Sequence, residues 1–193
     1  MFGTTSIRSR IRAAIALIFA SLLALAAMSA ARPAAPAGAA VKKAQIARGL
    51  YLTTVMGCND CHTPGGLYGA PDFARKLSGS ELGWRGPWGV SFPRNLTPDM
   101  ETGLGYWSAD EIVNAIRTGV KNDGTRILPP MPWQAFAGLT HADAHAIAAY
   151  LQSVPPVKHK VPDPVPPGQP YTGATMDFPP PPAWDVPPPA DHK

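Results

Sequence analysis

The spacing of apolar and polar residues predicts three helices. In the first, residues 42–56, Ile46 and Leu50 recur at the spacing of one helix face. Gly49 lies in the middle of this segment, where a glycine costs about 1 kcal/mol relative to alanine. Because a glycine has no Cβ, we expect another helix backbone to cross close to it.

The second and third helices carry clear start and stop signals. Ser108 and Glu111 form a capping box ahead of an apolar stripe, and Gly119 can cap the end of that helix. The third helix starts at Thr140 and is stopped by Pro155. Its inward stripe is rich in alanine, which favours a tight crossing with the first helix.

The stretch between the first two helices, residues 63–107, has no helical or strand period and is rich in glycine and proline. Such a long irregular segment needs an apolar centre around which it can fold. No internal repeat and no alternating strand series stands out. The pattern therefore predicts a mostly α-helical domain with long loops.

The N-terminal end differs in composition from this domain. Residues 1–31 have the parts of a secretory signal: Arg8, Arg10 and Arg12 precede an apolar run that ends in small residues. An uncleaved membrane anchor is the alternative, because the run is close to the ~20 residues that span a bilayer. We favour cleavage, and both interpretations predict a periplasmic location for the rest of the chain.

The remaining boundaries follow from proline and glycine content. Residues 32–40 are predicted to be a flexible spacer, residues 41–156 the folded domain and residues 157–193 a Pro-rich extended tail. Fourteen of the 24 prolines lie from Pro155 to Pro189, which favours polyproline II or disordered chain. A solvated tail is the simpler interpretation, and an arm that wraps around a partner is the alternative.

The net charge argues against polyanionic partners. The whole chain carries a formal charge of +4, but without residues 1–31 it has 14 basic and 13 acidic residues. A balance this close to zero gives no basic footprint for nucleic acid or for an anionic membrane surface. Membrane association is therefore expected only through the N-terminal segment.

The candidate chemistry lies in the motif C-N-D-C-H, from Cys58 to His62. This is the spacing for c-type haem attachment, in which Cys58 and Cys61 form thioethers and His62 coordinates the iron. A disulfide, a thioredoxin-like redox pair and a zinc site are alternatives. The redox pair needs a βαβ context and zinc needs more ligands, so one covalently attached haem c is the favoured interpretation.

The second axial ligand is predicted to be Met131, with Met100 as the second candidate. Met131 lies among Pro129, Pro130 and Pro132, and proline makes a stiff loop that can hold a thioether at a fixed point. The alternative role for Met131 is packing in the core, which is what most methionines do. A closed histidine–methionine site favours electron transfer over oxygen or peroxide chemistry.

Further residues are predicted to support the haem. The Pro64 carbonyl is placed to accept the proton of the second imidazole nitrogen of His62. Trp84, Arg85 and Trp88 are candidates to bond or shield the propionates. Core packing explains the tryptophans equally well.

The motifs also resemble those of a known family. They are Cys58 to His62 with Thr63-Pro64, Asn95-Leu96-Thr97-Pro98-Asp99, Thr102-Gly103, Trp107-Ser108 and Pro130-Met131-Pro132-Trp133. Together, over about Ile46 to Pro156, they resemble the class I cytochrome c modules of bacterial periplasmic dehydrogenases, including those for alcohol, aldehyde and gluconate. The resemblance implies orthogonal helices around one covalent haem, with His62 and Met131 as iron ligands. Several members carry three modules, whereas this chain has one C-x-x-C-H motif.

The resemblance implies a single-electron carrier rather than an enzyme. Its expected partners are a periplasmic dehydrogenase and a downstream cytochrome or oxidase of a respiratory chain. A haem enzyme or gas sensor with an open iron site is the main alternative. A structural subunit whose tail organises a complex is another.

Overall fold

The computed structural model describes residues 37–179, and these form a helical domain with one small sheet. The helices are α1 (Ala37–Val55), α2 (Cys58–His62), α3 (Ala109–Thr118), α4 (Trp133–Phe136) and α5 (His141–Leu151). The strands are β1 (Gly83–Gly86), β2 (Gly89–Ser91) and β3 (Thr175–Asp177). Among the described residues, no helix combines the length and the apolar character needed to cross a bilayer. The predicted signal, residues 1–31, lies outside the described part.

The capping signals of α3 and α5 are confirmed. The Ser108 hydroxyl accepts the Glu111 amide at 3.2 Å, and the Glu111 carboxylate accepts the Ser108 amide at 2.7 Å. Gly119 ends α3 with φ 70°, a left-handed conformation that glycine adopts without steric cost. The Thr140 hydroxyl accepts the Asp143 amide at 3.1 Å and begins α5. These bonds satisfy amide groups that a helix leaves unpaired at its start.

The predicted close crossing at Gly49 is also confirmed. A Cβ added there would overlap the backbone oxygen of Ala146 and lie 2.6 Å from the Cβ of Tyr150. The main core forms where α1, α3 and α5 pack together. Its buried members are Leu52, Leu77, Ile112, Val113, Ala144, Ala146, Ile147, Ala148, Tyr150 and Leu151.

The start of α1 differs from the prediction. The helix begins at Ala37, so residues 37–40 are helical instead of belonging to a flexible spacer. These residues contain three alanines and one glycine. Alanine has the highest helix propensity, which outweighs the single glycine.

A three-stranded sheet was not predicted. Its order is β2-β1-β3, with β1 antiparallel to β2 and parallel to β3. Trp84 pairs with Ser91 on one side and with Met176 on the other. The strands have only three or four residues, which is too short for an alternating pattern to stand out.

Residues 157–179, which we call the C-terminal strap, are mostly exposed, as predicted for a solvated tail, but they are docked on the domain instead of hanging free. Val161 is only 3% exposed and packs with Val90 and Phe92. The backbone of Val165 exchanges two hydrogen bonds with Val90, at 2.8 and 2.9 Å. Prolines restrict the unfolded chain, so an extended segment loses less entropy when a few apolar side chains dock. Residues 180–193 of the predicted tail lie outside the described part.

Candidate haem site

A cavity of about 720 Å³ opens between the helices and the long loops. All four predicted site residues, Cys58, Cys61, His62 and Met131, line it. Most of the remaining wall is apolar, contributed by Trp84, Phe92, Leu96, Leu104, Trp107, Ile112, Ile116, Leu128, Ile147 and Leu151. The irregular middle of the chain therefore folds around a concave apolar centre, as its length and composition predict.

Helix α2 carries the motif as a single short turn. Gly57 precedes it with φ 71°, a left-handed conformation that turns the chain sharply after α1. Burial raises the pKa of the Cys58 thiol to about 11, and burial also raises the pKa of Cys61. Neutral sulfur is therefore favoured at both positions, because a thiolate would lose its hydration in the apolar wall. A thioether is neutral and fits this environment.

The His62 imidazole is buried, at 8% exposure, and is fixed at one nitrogen. Its Nδ1–H donates to the backbone carbonyl of Arg94 at 2.7 Å, since a carbonyl can only accept. Burial lowers the pKa of His62, against the opposing effect of the Arg94 bond. A neutral ring with Nδ1 protonated leaves the Nε2 lone pair available for a metal ion.

The predicted role of Pro64 is therefore wrong. The Pro64 carbonyl accepts the Asp72 amide at 2.9 Å, and the His62 ring reaches Arg94 instead. The chain turns into an extended conformation at Thr63, which ends α2. The acceptor comes from a loop 32 residues along the chain, which spacing within the motif does not reveal.

The segment after Arg94 has a structural role. The Asn95 side-chain oxygen accepts the amide and the hydroxyl of Thr97, at 2.9 and 2.8 Å. Its amide nitrogen donates to the Val157 carbonyl at 2.8 Å and to the Thr102 hydroxyl at 3.0 Å. These bonds fix the loop that directly follows Arg94, the residue that binds His62. They also account for the asparagine and threonine of the N-L-T-P-D segment.

The structure separates the two methionine candidates. Met131 faces the cavity from the loop between α3 and α4, whereas Met100 is 50% exposed and is not among the lining residues. The Met131 loop is anchored by the Ser91 hydroxyl, which donates to the Pro129 carbonyl at 2.5 Å. The Trp133 ring, in the next turn of the chain, packs so closely on Gly119 that a Cβ there would overlap it.

Of the three candidates for the propionates, only Trp84 lines the cavity. Arg85 donates to the Tyr171 carbonyl at 3.0 Å, and Trp88 donates to the Trp84 carbonyl at 3.1 Å. Both side chains are thus occupied with the strap or the sheet. Within residues 37–179, three other cations line the cavity and were not predicted: Arg94, Lys121 and Arg126. These three residues lie in loops, where no sequence pattern distinguishes them. The strap contributes two further residues to the cavity wall, Asp163 and Pro164.

These residues fit a haem better than the alternatives for the two cysteines. Cys58 and Cys61 are free, and a buried neutral imidazole lies beside them at a largely apolar wall that also contains three cations. In the described part of the chain, no group of three histidine, cysteine or acidic side chains could hold a metal ion. The described sheet contains no βαβ unit around the motif.

Comparison with known proteins agrees with this geometry. The family model described as Cytochrome c matches residues 44–155. A subunit of nicotinate dehydrogenase from Pseudomonas putida is 34% identical over 119 residues, 62% of this chain and 9% of that protein. The cytochrome c subunit of alcohol dehydrogenase (quinone) from Gluconobacter oxydans is 35% identical over 124 residues, 63% of this chain and 24% of the subunit. The gluconate 2-dehydrogenase cytochrome c subunit from Pantoea cypripedii is 35% identical over 115 residues, 59% of this chain and 24% of the subunit. The matched region thus spans a quarter or less of each of these three relatives.

Proposed function

The chain belongs to the cytochrome c family, and on that premise we propose that it carries single electrons on one covalently attached haem c. The observation that carries this proposal is the convergence of Cys58, Cys61, His62 and Met131 on one apolar cavity. The sequence contains two cysteines and one C-x-x-C-H motif, which supports a count of one haem.

When bound, the haem supplies a reversible one-electron couple at its iron. The chain has four tasks around it. Cys58 and Cys61 would tether the ring, and His62, with its Nδ1–H bound to Arg94, would offer Nε2 to the iron. Met131 would supply a second ligand through its sulfur, so that external ligands would compete poorly. The apolar wall excludes water, which reduces the reorganisation that accompanies each gain or loss of an electron.

The relatives support a dehydrogenase as the electron donor. Those named for alcohol, fructose and gluconate dehydrogenase are cytochrome subunits of such enzymes. We propose that this chain is a subunit or redox partner of a dehydrogenase and passes electrons to a downstream cytochrome or oxidase of a respiratory chain. The signal-like composition of residues 1–31 supports a periplasmic location.

The proposal is tested on the purified holoprotein. Intact-mass measurement should show one haem added covalently, and a spectroelectrochemical titration should fit a one-electron couple with one electron per chain. Carbon monoxide should bind the ferrous protein poorly, because a methionine-closed iron has no free position. Rapid, tight binding of carbon monoxide would favour a haem enzyme or gas sensor instead. A colourless product without a mass gain would contradict both functions.

A further inference from the structure

We propose that the C-terminal strap holds the hydrogen-bond acceptor of His62, the Arg94 carbonyl, in place. Arg94 is the positioning residue, because its backbone binds His62 and its side chain binds the strap. The inference rests on the proposed function, because it assigns the strap a role in setting the properties of the haem ligand. The family match ends at residue 155, so the strap lies wholly beyond it.

Arg94 is bound at both of its ends. Its backbone carbonyl accepts the His62 Nδ1–H at 2.7 Å. Its guanidinium Nη1 donates to the Pro162 carbonyl of the strap at 2.8 Å, and Nη2 lies 3.6 Å from the Asp163 carboxylate. One residue therefore links the haem-facing histidine directly to the strap.

The loop on the C-terminal side of Arg94 is fastened to the strap as well. The Asn95 side chain donates to the Val157 carbonyl at 2.8 Å. The Val157 amide donates to the Thr97 hydroxyl at 3.1 Å. On the N-terminal side, the Phe92 side chain packs on Val161 of the strap. The carbonyl that binds His62 is thus held by strap contacts on both sides.

A second strap contact reaches the loop around Ser78, which binds the backbone of His62. The His159 Nδ1 lies 2.9 Å from the Ser78 carbonyl, and Nε2 lies 2.6 Å from the Glu81 carboxylate. The next residue after Ser78 is Gly79, whose amide donates to the His62 carbonyl at 2.8 Å. The backbone and the ring of His62 are therefore both bound by segments that the strap fastens.

Fixing the acceptor affects the iron through the imidazole. A well-placed carbonyl on Nδ1–H makes the ring a stronger electron donor, which stabilises the oxidised iron. Loosening the strap should weaken this bond and raise the reduction potential. The ion pair of Arg94 with Asp163 contributes little, because the two side chains are 50% and 75% exposed. The contacts at Pro162 and Val161 should therefore carry the effect.

The decisive variant is Val161→Ala in the holoprotein, since it weakens strap docking without changing any charge. Val113→Ala is the matched control: it makes the same truncation at a buried site of the main core, away from the cavity wall. Three quantities are measured: the reduction potential, the exchange rate of the His62 Nδ1–H by NMR, and trypsin cleavage at Lys158 and Lys160.

For Val161→Ala we expect faster cleavage of the strap, exchange of the Nδ1–H at least about threefold faster, and a higher potential. A tenfold change in the relative stability of the two oxidation states would correspond to about 59 mV for a one-electron couple. Val113→Ala should leave the potential and the exchange rate near those of the parent protein. Cleavage that accelerates while the potential and the exchange rate stay unchanged would refute the proposal.

A second variant, Arg94→Gln, keeps the backbone carbonyl but removes the link to Pro162. It is judged by Nδ1–H exchange, because the lost charge also acts on the potential. Arg75→Gln is its control, with the same loss of charge at an exposed pair with Asp72. Faster exchange in Arg94→Gln alone supports the proposal. If neither Val161→Ala nor Arg94→Gln loosens the strap, these contacts do not hold it and the proposal is wrong. A parent protein that lacks the covalent haem or the one-electron couple contradicts the proposed function itself.

Discussion

Replacing Gly49 with alanine should destabilise the fold although it improves helix propensity. The substitution adds one methyl group on the face of α1 that crosses α5. That methyl would overlap the backbone oxygen of Ala146 and lie 2.6 Å from the Cβ of Tyr150. Carbon atoms in contact prefer about 3.5–4.0 Å, so the helices must separate by about 1 Å.

The sign follows from two opposing magnitudes. Alanine gains about 1 kcal/mol over glycine inside a helix. Overpacking a core costs about 1–3 kcal/mol, and the upper part of that range applies because a backbone atom cannot rotate away. The net expectation is a loss of about 1–2 kcal/mol of unfolding free energy. For a domain of this size that lowers the melting temperature by on the order of 5 °C.

The assay is guanidinium and thermal unfolding of the holoprotein, followed by far-ultraviolet circular dichroism. Gly138→Ala is the matched control, because a Cβ there meets only the Ala135 oxygen at 3.9 Å. It should be neutral or slightly stabilising, since alanine restricts the unfolded chain. If Gly49→Ala is as stable as the parent protein, the close crossing does not constrain this position and the reasoning fails.

Three further predictions concern the second ligand, the α3 cap and the strap. Met131→Ala should abolish the weak far-red absorption band of the ferric protein and speed carbon monoxide binding to the ferrous form, whereas Met100→Ala should do neither; the opposite result would assign the ligand to Met100. Ser108→Ala should cost about 1 kcal/mol of unfolding free energy, and Ser108→Thr, which keeps the hydroxyl, much less; equal losses would show that the cap is not responsible. Burial acts to raise the pKa of Glu81, but the His159 hydrogen bond helps to hold it below its ordinary value. This contribution to stability is present above the ordinary pKa and is lost as pH falls through the lowered one. The protection factor of the His159 amide, its exchange rate relative to that of an unfolded chain at the same pH, should therefore fall in acid, and Glu81→Gln should flatten that dependence.

Local signals made the helices and the haem motif predictable. The capping box at Ser108 and the proline stop after α5 each act within a few residues, so sequence spacing alone defines them. The same holds for Cys58 to His62, where one short turn carries all three groups. Met131 could be placed because its flanking prolines mark a stiff loop on the chain itself.

Contacts between distant segments were not predictable in this way. The acceptor for His62 is 32 residues away, and Arg94 carries no pattern that distinguishes it from a surface arginine. Strand β3 pairs with β1 although most of the sequence of the domain lies between them. Strands β1 and β2 each contain glycine, which has low strand propensity. Proline content does not distinguish a docked strap from a free solvated tail, because it is common to disordered chain and to extended chain that docks.

The position of the strap in the chain orders the events of biosynthesis. Because translation proceeds from the N-terminus, both thiols of the motif are made well before Asp163 and Pro164, which complete one side of the cavity. The part of the cavity wall that residues 157–179 contribute is therefore the last to be synthesised, after both cysteines and Met131.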